Sequence, residues 1–132
     1  LVKDPSDPKK VFAGLRRGSH GAGSLALPGG HLEMNETWES CASREVEEEM
    51  GIAVRDVKFG HVTNDPMISE GKHYVTIFMT AEFADPGALP WNREPHKCEG
   101  WSSYSWGELE RIGLDYKGGE GGVQLFGPLK HL

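Results

Sequence analysis

One segment limits the fold of this chain more than any other. From Thr37 to Met50, Trp38, Cys41, Ala42 and Val46 recur at three- and four-residue steps, and Gly51 follows as a C-cap. That spacing predicts one amphipathic helix in the middle of the chain, with extended patterns on both sides. Lys3 to Pro8 reads as a turn, Lys10 to Arg16 as a strand with Val11, Ala13 and Leu15 on one face, and Leu25 to Leu27 as a short extended piece stopped by Pro28. Ala53 to Val62 and Tyr74 to Phe83 read as strands, the second sending Val75, Ile77, Met79, Ala81 and Phe83 toward a core. Trp101 to Tyr104 reads as a strand, Trp106 to Ile112 as a short helix, Gly113 to Gly122 as a loop and Val123 onward as a terminal helix. Strands, helix, strands and helix in that order give an α+β (mixed α/β) class.

A chain of 132 residues and 14.5 kDa fits one domain over residues 1–132, long enough to bury a core without staples. Its two cysteines, Cys41 and Cys98, are too few for a disulfide scaffold. Fourteen basic residues against 20 acidic ones give a net charge of −6, which argues against a nucleic-acid polymer or a polybasic membrane contact as partner. It does not argue against a phosphorylated substrate, because a divalent cation between two sets of oxygens lets an acidic protein bind phosphate. No apolar run approaches the length of a membrane span and no signal-peptide pattern opens the chain. A cytoplasmic location is the expectation, with a removed targeting segment before Leu1 left open.

The chemistry-bearing stretch lies on the central helix. A run of charge such as Arg44, Glu45, Glu47, Glu48 and Glu49 is ordinarily a solvated face. Helical geometry separates its members: Glu45, Glu48 and Glu49 share one face, Glu47 points away, and Arg44 reaches Glu48 at i, i+4. Three carboxylates on one face repel each other unless a hard cation such as Mg2+ or Mn2+ neutralises them. Just before the helix, Leu27-Pro28-Gly29-Gly30-His31-Leu32-Glu33 carries paired glycines that let backbone amides approach phosphate oxygens.

Counted from Gly30, five residues lead to Glu36, seven more to Arg44, and then Glu45, Val46, Glu47, Glu48, Glu49, Met50, Gly51 and Ile52 follow. This resembles the complete Nudix box, GX5EX7REUXEEXGU. The resemblance implies a Nudix fold, a mixed β-sheet sandwiched between helices, and Mg2+-dependent hydrolysis of a nucleoside diphosphate linked to another group. It assigns metal binding to Glu45, Glu48 and Glu49, ion pairing of the glutamates to Arg44, loop shaping to Gly30 and bracing of the loop to Glu36. Glu45 is the first choice as metal ligand or base, and Glu99 is the candidate for a second catalytic carboxylate from a distant loop.

Outside the box, Gly21 to Ser24, Leu27 to Glu33, His73 to Thr76, and Glu94-Pro95 with Lys97 to Glu99 resemble a MutT-like branch. That branch includes the plant cytosolic Nudix hydrolases and the human MutT-homologue-2 type enzyme. It implies a homodimeric pyrophosphohydrolase of nucleoside triphosphates, oxidised or modified dGTP among them, releasing monophosphate and diphosphate. Prenyl diphosphates or ADP-ribose are alternative substrates, and a non-catalytic ligand-binding or interaction module is an alternative role. By the same likeness Arg16, Gly29, Gly30, His31, Thr76, Phe126 and Leu129 line the substrate site, although Gly127 and Pro128 depart from the branch pattern beside the last two. Relatives also carry a hydrophobic strand before Leu1, so the N-terminal strand is expected to be truncated here.

Three other signals lead nowhere. Gly21 to Ala26 matches a dinucleotide fingerprint but Pro28 ends the segment; no GK[ST] follows a glycine loop; and His96 with Cys98 has no second pair at zinc spacing. Pro66 reads as a turn proline, although ADP-ribose-cleaving relatives place a proline near this point.

Overall fold

The computed structural model describes residues 1–17, 23–115 and 124–125. Strands β1 (Lys3–Asp4), β2 (Asp7–Arg16) and β3 (Ser24–Ala26) precede helix α1 (Trp38–Met50). Strands β4 (Val54–Met67) and β5 (Lys72–Phe83), β6 (Cys98–Ser105), helix α2 (Trp106–Asp115) and β7 (Gln124–Leu125) follow. β2 pairs antiparallel with β1, β3 and β6, while β3 pairs parallel with β7, so the larger sheet is mixed. β4 and β5 form a separate antiparallel ribbon, joined to the larger sheet by a parallel bridge from Val2 to Ala81.

Alternation along β2 explains the two-sided core. Phe12 joins Val2, Val46, Met50, Ile52 and Phe83 beneath α1, while Val11 and Ala13 join Leu25 and Leu109 beneath α2. Both faces of this strand are covered, so Val11 to Gly14 reads as an unbroken buried run. The architecture is the α+β, sheet-between-helices arrangement that the sequence implies.

Several boundaries differ from the sequence reading. Lys3 to Pro8 is a tight hairpin between β1 and β2 rather than a turn alone. β4 runs on to Met67, and Pro66 lies inside it opposite His73; among the described residues its other side has no paired strand, the edge position where a missing N–H costs nothing. Val75 shares a strand face with buried Met79, Ala81 and Phe83 yet is 65% exposed, because the ribbon extends past the end of the core. α2 continues to Asp115, and Gln124–Leu125 is a strand, not the start of a terminal helix. A two-residue strand that exists by parallel pairing with distant β3 leaves no local periodicity to read. Leu1 and Val2 supply backbone contacts to both sheets, Val2 O accepting from Phe12 N at 3.0 Å and Leu1 O from Ala81 N at 2.9 Å.

α1 ends at the Gly51 cap that its sequence predicts, and the structure adds an N-cap at Thr37. Thr37 accepts from Ser40 N at 3.1 Å, and Gly51 takes a left-handed φ of 67° while its N–H bonds Glu47 O. The carbonyls of Glu49 and Met50 are met by the loop before β6 and by β6 itself. Trp91 N donates to Met50 O, while Arg93 N and Trp101 Nε1 both reach Glu49 O. A Cβ on Gly51 would run into the Trp91 indole. Gly51→Ala is therefore expected to lower stability by about 1–3 kcal/mol, through backbone strain and displacement of this loop, as read by urea denaturation.

Candidate active site

Asn35 begins the site by taking a left-handed φ of 68°, which turns the chain from the glycine loop into α1. Glu36, one residue later, is the hub of an ion-pair network with Arg44. Arg44 Nε and Nη2 donate to its two oxygens at 2.7 and 2.9 Å, and Glu36 Oε1 also accepts Glu33 N at 2.8 Å. The Arg44 guanidinium holds the Glu36 carboxyl down to about pKa 2. The same guanidinium donates through Nη1 to Glu45 at 2.8 Å and Glu48 at 3.3 Å, and through Nη2 to His31 O at 3.1 Å. Arg44 thus ties the loop to the carboxylate face of the helix.

Glu49 is held differently. Its Oε2 accepts the Gly29 amide at 2.8 Å, and burial, with help from the nearby Glu45 and Glu94 charges, pushes its pKa up to about 8. Gly30 sits directly over Glu45: a Cβ there would occupy the space of the Glu45 carboxylate, whereas one on Gly29 would meet nothing. The two adjacent glycines therefore do different work, one by lending its amide and the other by lacking a side chain.

These groups open onto a cavity of about 520 Å3 lined by Arg16, Gly29, Gly30, His31, Arg44, Glu45, Glu48 and Glu49, with Glu94 and Lys97 from the loop before β6. Glu47 is exposed and outside it, as its helical phase requires. A second cavity, about 710 Å3, shares Arg16, the glycine loop, His31 and Glu45, and is otherwise mostly apolar. Trp38, Cys41 and Ala42 of α1 and Val75, Thr76 and Ile77 of β5 are among the residues that line it. The His31 ring lies 5.8 Å from that of Tyr74 at its edge.

The donor set fits a hard divalent cation, because α1 presents the three carboxylates Glu45, Glu48 and Glu49 to the cavity and half-buried Glu49 has its proton affinity raised by desolvation and by neighbouring negative charge. Among the described residues, no three His, Cys, Asp or Glu side chains already converge on one point; Arg44 holds Glu45 and Glu48 instead.

A family model described as the NUDIX domain matches residues 4–124 of this chain. The chain belongs to the Nudix hydrolase family. Its structure is similar to that of a MutT NUDIX hydrolase from Burkholderia pseudomallei, with 27% identity and a TM-score of 0.67 over 77% of this chain and 75% of that one. It also resembles a NUDIX hydrolase from Nitrosomonas europaea, 19% identical, TM-score 0.69, over 89% and 76% of the two chains. A MutT/nudix family protein from Enterococcus faecalis matches at 24% identity and TM-score 0.61, over 72% of this chain but only 36% of its own length. Nudix hydrolases act on phosphoanhydride bonds and generally use divalent metal ions.

In this Nudix hydrolase the structure brings Arg16, Gly29, Gly30, His31, Arg44, Glu45, Glu48 and Glu49 to one cavity and Thr76 to the adjoining one. Phe126 and Leu129 lie outside the described residues. Glu99 is not brought in: it does not line the cavity, and its carboxylate lies 3.4 Å from Arg17 Nε, half-exposed. Glu94, five residues earlier and not singled out as a catalytic group from the sequence, lines the cavity instead. The available signal was the Glu94-Pro95-His96-Lys97 sequence, a turn with proline at its second position.

No helix among the described residues is long and apolar enough to cross a membrane.

Proposed function

We propose that this protein hydrolyses a nucleoside triphosphate, oxidised or otherwise modified dGTP among the candidates, to monophosphate and diphosphate with Mg2+ or Mn2+ as the ion. The observation that carries this reading is the pairing of a carboxylate face, Glu45, Glu48 and Glu49, with the Gly29–Gly30 loop in one cavity. Glu45, Glu48 and Glu49 would hold the cation. When bound, such an ion neutralises phosphate charge and lowers the pKa of the attacking water. Arg44 keeps Glu45 and Glu48 in place, and Arg16 and His31 stand where the phosphate chain passes toward the second cavity. Glu94, from the turn docked beside Glu49, takes the role of second carboxylate and accepts the proton of the attacking water. The second cavity receives the group attached to the phosphates, with Thr76 on its wall.

The sequence likeness to the MutT-homologue-2 and plant cytosolic enzymes supports a homodimer and a cytoplasmic setting. One observation favours a second reading: the apolar walls of the larger cavity, from Trp38 to Ile77, also suit the chain of a prenyl diphosphate. Purified protein with Mg2+ is expected to turn over at least one of the dNTPs or 8-oxo-dGTP in preference to geranyl diphosphate and ADP-ribose, with monophosphate and diphosphate identified by chromatography. Turnover of geranyl diphosphate alone would select the second reading, and turnover of none would leave a binding module.

A further inference from the structure

The turn before β6 is built more firmly than a surface loop requires. Lys97 N donates to Glu94 O at 2.9 Å to close it, and Asn92 Nδ2 donates to Cys98 O at 2.6 Å across its base. From the residue after β2, Arg17 N donates to Lys97 O at 2.7 Å, and Arg17 Nη1 to Pro95 O at 3.3 Å. Proline at the second position fixes one of its torsions. The outcome is that the two ends of the turn, Glu94 and Lys97, both face the catalytic cavity, while His96 between them faces solvent.

The charges around that cavity give Lys97 a task. Five carboxylates line it, on Glu33, Glu45, Glu48, Glu49 and Glu94, against three cations, on Arg16, Arg44 and Lys97. Arg44 is committed to Glu36, Glu45, Glu48 and a backbone carbonyl. Arg16 lies where the two cavities meet, but Lys97 lines the carboxylate cavity alone and acts on the Glu49 charge. Its Nζ has a carboxylate partner, Glu94 Oε2 at 3.2 Å, yet its side chain is 64% exposed, so exchanging that exposed pairing costs little.

Resting on the reading of this cavity as a diphosphate site, we propose that Lys97 is a substrate-binding residue: its ammonium leaves Glu94 for the substrate's diphosphate oxygens. The exchange couples two events. Anion binding neutralises Lys97 from the far side of the cavity, and the same movement frees the Glu94 carboxylate.

The test is calorimetric titration of the full chain with inorganic diphosphate in the presence of Mg2+, which needs no turnover. Lys97→Met is expected to weaken binding about 5- to 20-fold, Lys97→Arg to keep it within about 3-fold, and His96→Ala, in the same turn, within about 2-fold of wild type. In steady-state kinetics on whichever substrate is turned over, Lys97→Met is expected to raise KM more than it lowers kcat. Binding by Lys97→Met within about 2-fold of wild type, an equal loss in His96→Ala, or no binding by the wild type would overturn the proposal. Absence of turnover on every substrate would defeat the hydrolase reading while the diphosphate titration still decided the role of Lys97.

Discussion

Glu49→Gln is expected to slow hydrolysis by about 100-fold or more while leaving the fold intact. Glutamine keeps the side-chain shape and still accepts the Gly29 amide through its oxygen, so what disappears is the charge. Glu45→Gln should behave similarly, and Glu47→Gln, on the exposed side of the helix, should stay within about 2-fold of wild type. Equal losses at all three would show that the helix face is not what holds the cation. A second readout follows from the Glu49 environment. Its native pKa of about 8 lies above the usual 4.5, so between those values the folded state binds the proton more tightly than the unfolded chain. In the presence of a chelator, stability therefore falls as pH rises from about 5 to about 8. Glu49→Gln should remove most of that fall, and Mg2+ should stabilise the wild type more at the upper end of the window than at the lower. Thermal unfolding across this pH range, with and without Mg2+, measures both effects; a wild-type Tm independent of pH in chelator would contradict the assignment.

Gly30→Ala is expected to cost about 10- to 100-fold in kcat/KM with little change in Tm, and Gly29→Ala no more than about 3-fold. The difference arises from what each glycine faces. An alanine methyl at position 30 enters the space of the Glu45 carboxylate, which cannot simply swing aside because Arg44 Nη1 holds it at 2.8 Å. At position 29 the methyl meets open space, and the amide that serves Glu49 is retained. Comparable losses in both variants would mean that the loop acts through backbone freedom rather than through the gap above Glu45. Circular dichroism and Tm of both proteins separate this from a folding defect.

Much of the site is legible because its geometry is local. Within α1, the 100° turn per residue alone separates Glu45, Glu48 and Glu49 from Glu47, and Arg44 reaches Glu48 one turn away whatever the helix packs against. The distinct tasks of Gly29 and Gly30 are not local in this sense. Both are glycines in a turn, and only the docking of the loop on α1 shows that one faces Glu45 and the other offers its N–H to Glu49.

The same division separates Glu94 from Glu99. Glu94 lies in the loop before β6 and Glu99 at the start of β6 itself, and local sequence alone does not separate their roles. The choice is made when this loop and β6 cap the C-terminus of α1: the carbonyls of Glu49 and Met50 need donors, Trp91, Arg93 and Trp101 supply them, and the docked turn then delivers Glu94 beside Glu49 while Glu99 points to Arg17. β7 was hidden for a related reason, since a two-residue strand exists only through its pairing with β3. By itself the sequence determined the helix, its Gly51 cap and the carboxylate face, because short-range periodicity and capping chemistry are written in neighbouring residues. The tertiary structure alone decided which distant side chains complete the cavity, because that depends on which backbone groups the folded core leaves in need of partners.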